Sequence, residues 1–183
     1  MISEKDKVRA KKICIHEAGH LITSKLFGFK TNGISILINQ RIGHSGEATI
    51  ILPVANITNN NELIGYLEKR IQILYAGVIA EFTDLNKNFD DSSALIDWKN
   101  GGGMVDYAKI RELTHVLRNI KYPKTSEENK QQLELDKLDK VNFANSVQIV
   151  FENIREIHRI GKLLSDKVLQ YDITYNLTEG ELL

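Results

Sequence analysis

Along the first third of the chain, apolar and small residues return every three or four positions. Val8, Ile15, Gly19, Ile22 and Leu26 share one stripe, which predicts a helix from about Lys5 to Phe27, with Gly28 as its stop. The pattern then changes period. Gly33 to Ile38 is short and β-branched, Gln40 to Gly46 is turn-like, and Glu47 to Leu52 reads as a second strand ended by Pro53. These predict a β-hairpin. Asn59 to Asn61 supplies a cap, and Glu62 to Phe82 runs helical through Leu63, Leu67, Ile71, Leu74 and Val78. Leu85 to Leu95 is polar and predicted to be a loop. Asn100 to Gly103 is a sharp break, after which Met104 to Asn119 resumes helical spacing. Lys121 to Lys140 is densely charged and contains Pro123, which predicts a mobile segment or a solvated helix. Val141 to Tyr171 is a long amphipathic helix, and Leu177 to Leu183 is expected to add one helical turn. The expected fold class is mainly α, one domain over residues 1–183, with a small β-hairpin beside the first helix.

Composition narrows the function classes. The 24 Lys+Arg balance 24 Asp+Glu, so no overall basic field would draw in nucleic acid. The charged stretch from Met1 to Lys12 has no signal-peptide core. The longest apolar runs, such as Ile50 to Ala55, are too short to span a bilayer. A single cysteine, Cys14, permits no internal disulfide, and a cytoplasmic location is expected. Gly161-Lys162 is followed by Leu163 with no glycine five before, so no phosphate loop is recognisable.

The first helix carries the candidate chemistry, His16-Glu17-Ala18-Gly19-His20. Residues four apart in a helix differ by about 40° around the axis and about 6 Å along it. His16 and His20 can therefore reach one zinc ion. Glu17 lies about 100° from His16, where it can take a proton from a water at the metal rather than bind the metal itself. Ala18 and Gly19 leave room for another element to pack closely. Together these point to metal-assisted hydrolysis of an amide. A catalytic zinc wants a third protein ligand. The extended pattern with a third histidine is absent, since Thr23 and Leu26 occupy its positions. His44, His115 and His158 remain as candidates, and among carboxylates Glu81 and Asp106 stand out by context.

At these residues the chain resembles the peptidase domain of FtsH-type ATP-dependent zinc metalloproteases. His16 to His20 is similar to that family's metal helix. Ile73 to Glu81 is similar to its apolar helix ending in Gly-Arg-x-Ala-Glu, and Gly102 to Asp106 to its Gly-Ala-Ser-Asn-Asp. Ile149 to Leu182 is similar to its terminal helix, closed by Leu177-Thr178-Glu179-Gly180-Glu181-Leu182. The resemblance implies a zinc endopeptidase in which Asp106 is the third ligand, Glu17 the general base, and Glu81 a partner that orients a histidine. Its substrates would be peptides or unfolded protein. A homo-oligomeric ring is implied too, to which the family's ATPase domain also contributes. The chain departs from the family at Val78, which stands in place of the arginine, and at Met104 and Val105. It also lacks the family's membrane segment and ATPase domain, so a separate ATPase or adaptor would have to supply folded substrates. Tyr107 and His115 lie near the proposed ligand, but no oxyanion-stabilising residue can be named. In many zinc peptidases an edge strand holds substrate by backbone pairing, a role open to Ile34–Ile38 or Glu47–Leu52. The alternative reading is a metal-stabilised binding or regulatory module with little hydrolytic activity.

Overall fold

The computed structural model describes residues 1–41, 43–52 and 57–182. Pro53, expected to end the second strand, and Leu183 lie outside them. Ser3 accepts a hydrogen bond from the Asp6 amide and starts α1 (Glu4–Leu26). Asn59 likewise accepts from Glu62 and starts α2 (Asn60–Glu81). Such caps satisfy amides that have no partner inside the helix. Then follow α3 (Asp91–Asn100), α4 (Met104–Lys121) and α5 (Glu128–Lys167). The strands are β1 (Lys30–Asn39), β2 (Gly43–Ile51) and β3 (Thr174–Leu177), and a 3₁₀ turn spans Glu179–Glu181. The expected mainly helical fold with a small sheet is what the chain adopts.

Helix α1 is the centre of the molecule. From Ile13 to Leu21 every residue is buried, because α2, α5 and the sheet each pack on a different side of it. The single-stripe reading therefore understates α1. Val8 and Leu26, placed on that stripe, are exposed, while Cys14 and Ala18 off it are fully buried. The two helix crossings depend on missing side chains. A Cβ on Gly19 would lie 2.5 Å from the Ala76 carbonyl oxygen of α2, and one on Gly161 of α5 would lie 2.7 Å from Ile15 Cγ1. Both are closer than packed atoms tolerate, so the backbones approach where only glycine fits.

The sheet is antiparallel in the order β2-β1-β3. Ile34, Ile36 and Ile38 of β1 alternate into the core. Strand β3 was not expected; of its four residues only Leu177 is buried, so its alternation is too short to read. Gly33 holds φ +96°, and the Leu177 carbonyl occupies the space of its missing Cβ, so β3 docks where a side chain would block it. The expected tail turn is present as the 3₁₀ turn, closed by a capping box between Thr178 and Glu181.

Three further expectations need correction. The turn over Gln40–Gly46 is shorter, since β2 begins at Gly43. The loop over Leu85–Leu95 ends early, because Asp90 caps α3 through the Ser93 amide. Trp98 then anchors α3 through edge-to-face contacts with Tyr75 and Phe143 and a tilted contact with Tyr107. Of the two alternatives for Lys121–Lys140, the solvated helix is the one seen over most of it, since residues 128–140 are helical and only Leu138 in the segment is buried. Lys121 ends α4, and residues 128–140 are the first third of α5. Two of its residues are tied to α4: Arg118 donates to Glu134 at 2.9 Å and to the Thr125 carbonyl at 3.0 Å, and Thr125 donates to Glu134 at 2.7 Å. Leu138 starts the buried stripe of α5, and Asp139 accepts from Tyr75. Gln72 then donates to Asn142, and Asn142 to the Leu138 carbonyl. The part expected to be helical from 141 to 183 leaves the helix at Lys167 and finishes as β3 and the 3₁₀ turn. Among the described residues, no helix is long and apolar enough to cross a membrane.

Candidate metal centre

His16, His20 and Asp106 meet at one point. The two Nε2 atoms are 3.0 Å apart, and Asp106 Oδ2 lies 3.3 Å from His16 Nε2 and 3.0 Å from His20 Nε2. Ligands of a tetrahedral ion at about 2.0–2.1 Å stand about 3.3 Å from one another, so the spacing suits a metal.

The hydrogen bonds say more than the spacing. His20 Nδ1 lies 2.7 Å from the Ile73 carbonyl oxygen. That oxygen can only accept, so Nδ1 carries the proton and Nε2 of the neutral ring is a bare lone pair. His16 Nδ1 lies 3.2 Å from Glu81 Oε2, and a carboxylate likewise takes the proton on that side. Two ring lone pairs and a carboxylate oxygen thus converge in a buried place. Such a set needs a cation among the three atoms. The donor set fits a divalent metal, with Glu81 and the Ile73 carbonyl orienting the rings.

Without metal, a proton fills that need. Burial works against a charged ring, but the hydrogen bonds to Asp106 and Glu81 outweigh it and hold His16 up at about 10. Asp106 is partly buried, yet the charge of His20 and the bonds from both rings keep its carboxyl far below the usual range. The sign follows. A metal must displace a proton held up to about pH 10, so affinity rises with pH over the neutral range. Calorimetric titration at pH 7.5, in buffers of different ionisation enthalpy, should show about one proton released per metal bound.

Each part is placed by an identifiable device. Helix α1 aligns the two rings, which meet edge-on at 4.7 Å. Gly77 on α2 faces them, and a Cβ there would run into His20 Nε2. Asp106 sits in the first turn of α4, where a negative charge is favoured. The preceding glycines are held by Asp97, whose carboxylate accepts from the Gly102 amide at 3.0 Å and the Gly103 amide at 2.7 Å. Val78 of α2 packs against Gly103. Asp97 was not foreseen; an aspartate ahead of a glycine run is the one signal that pointed to it.

Glu17 is buried on the side of α1 that faces β2. Gly46 passes so close that a Cβ would lie 2.6 Å from Glu17 Oε1. Burial raises the Glu17 pKa, opposed by the charges of His16 and His20, and the Ala48 backbone beside it favours the ionised form. A cleft of about 720 Å³ opens over the centre, lined in part by Glu17, His44, Gly46, Arg70 and Asp106.

The other candidates fall elsewhere. His44 lies in β2 rather than a turn and lines the cleft; burial lowers its pKa. His115 is exposed on α4 and does not line the cleft. His158 meets the Thr83 carbonyl oxygen at 2.9 Å and does not line the cleft. Tyr107 packs on Trp98. Cys14 is fully buried, and burial pushes its thiol pKa up. The chain matches no protein-family model and no curated protein.

Proposed function

We propose that this chain is a zinc-dependent endopeptidase, a peptidase domain of the FtsH type, acting in the cytoplasm on peptides and unfolded protein segments. What carries the reading is the convergence of two histidine lone pairs and a carboxylate, with a buried glutamate, Glu17, outside that donor set but on the same helix. A closed structural zinc site has four ligands, usually with cysteines. Here three donors face an open cleft, and Cys14 is not among them.

His16, His20 and Asp106 would hold the ion, which when bound supplies Lewis acidity for a carbonyl and for a water molecule. Glu17 takes the proton of the attacking water and passes it to the amine nitrogen as the peptide bond breaks. Strand β1 is paired on both sides by β2 and β3, so it cannot receive an extended peptide. Strand β2 is the sheet edge beside Glu17, and a substrate strand would add there. Oligomerisation, and delivery of folded substrates by a separate ATPase or adaptor, belong to the same proposal.

The test is hydrolysis of a mixed library of unstructured peptides by zinc-loaded protein. Internal bonds should be cut, with cutting abolished by a chelator and restored by zinc. Full zinc loading with no cut peptide would overturn the reading in favour of a metal-stabilised binding module.

A further inference from the structure

Charge in the cleft is unevenly spent. Among its acidic groups, Asp106 and Glu17 belong to the metal centre, Glu81 meets His16, Asp97 holds two backbone amides, and the exposed Glu47 accepts from Thr49. Among its cations, Lys12 lies over the Phe82 ring, and Arg9, Lys109 and Arg70 form no hydrogen bond or ion pair with a described residue. Arg9 and Lys109 are exposed, where water suffices. Arg70 is different: it is half-buried where it lines the cleft, the charge of Asp106 acts on it only at a distance, and its Nη1 is shielded from solvent with no hydrogen-bond partner among the described residues. An unsatisfied buried donor is costly, more so on a charged group.

Arg70 shares one face of α2 with Ile73, Gly77 and Glu81, the residues that touch the two histidines. Positions 70, 73, 77 and 81 fall within about a third of a turn of one another. Arg70 lies about 10 Å along the axis from Gly77, the span of about three residues of extended peptide. A planar guanidinium presents a fork of donors that suits a carboxylate.

We propose that Arg70 is a specificity-determining residue that binds a carboxylate of the substrate two to three residues from the scissile bond. This inference rests on the peptidase reading. The carboxylate has two sources, an acidic side chain or the C-terminus of the peptide.

The probes are fluorogenic peptides, acetylated and amidated, in which one glutamate is walked through a neutral sequence. Each is paired with its glutamine counterpart. A third series carries the neutral sequence with a free C-terminus at varying distance. For zinc-loaded wild type, kcat/KM should favour glutamate over glutamine by about tenfold or more at one position. A preference confined to the third series would assign the C-terminal carboxylate instead. In Arg70→Met the ratio should fall to near one, and Arg70→Lys should restore part of it. Because the reading is a ratio within each variant, a general loss of rate does not mimic it.

Binding of the same pairs to zinc-loaded Glu17→Gln, with and without Arg70→Met, separates the two ideas. Selective binding lost with Arg70, but no cleavage by wild type, would keep the carboxylate site and sink the peptidase. Cleavage without carboxylate preference, or a preference that survives Arg70→Met, would overturn the role of Arg70 and leave the peptidase standing. Neither cleavage nor selective binding would end both.

Discussion

Asp106→Ala should weaken zinc binding by more than about 100-fold, because removing even an outer partner of a metal ligand costs about 10–100-fold. The physical reason is the small donor set. With Asp106 gone, two neutral imidazoles remain, and the site loses its only negatively charged donor. The fold should persist, since Asp106 is a partly exposed residue and α4 is anchored through Ile110 and Leu117. Elemental analysis of purified wild type and variant, followed by competition with a chelator, reads the effect. About one zinc per chain in wild type and little in the variant is the expected pair of results. Zinc retained undiminished without Asp106 would place the third ligand elsewhere. Glu81 would then be next, because it already reaches His16, whereas His115 stands outside the cleft.

Glu17→Gln separates binding from chemistry. Glutamine has the same shape and fits under Gly46, but it cannot accept the proton of the attacking water. Zinc content should stay at the wild-type level, and peptide hydrolysis should fall by about 10²–10⁴-fold, the usual contribution of a general base. The melting temperature should not drop. Burial raises the Glu17 pKa, so stability falls as pH rises from the ordinary carboxylate range through that raised value, and the neutral amide removes this loss. Hydrolysis retained in the variant would show that Glu17 is not the base. Wild type and variant both inactive, with zinc bound, is the outcome that the binding-module alternative predicts.

Much of the centre was legible because it is local. The spacing of His16 and His20 alone puts two rings on one side of a helix, and their neighbour Glu17 follows from the same geometry. Gly19 announced a close helix crossing before any partner was known, and Ala76 is that partner. The amphipathic stripes of α2 and α4 and the hairpin were equally readable, since each depends on short-range periodicity.

What only the tertiary structure decided is non-local. Asp106 lies 90 positions from His16, and no periodicity links them; context and resemblance nominated it, but only the packing of α4 shows that it meets both rings. The proton positions on both rings depend on Ile73 and Glu81 of another helix. Within the largely exposed charged stretch before Lys140, the anchoring of Glu134 and Asp139 was not readable because their partners, Arg118 and Tyr75, lie on other helices. The burial of α1 on all sides, the pairing of β3 with β1, and the unpartnered Nη1 of Arg70 have the same origin. Local spacing determines which way a side chain points from its own element, and only packing determines what it meets.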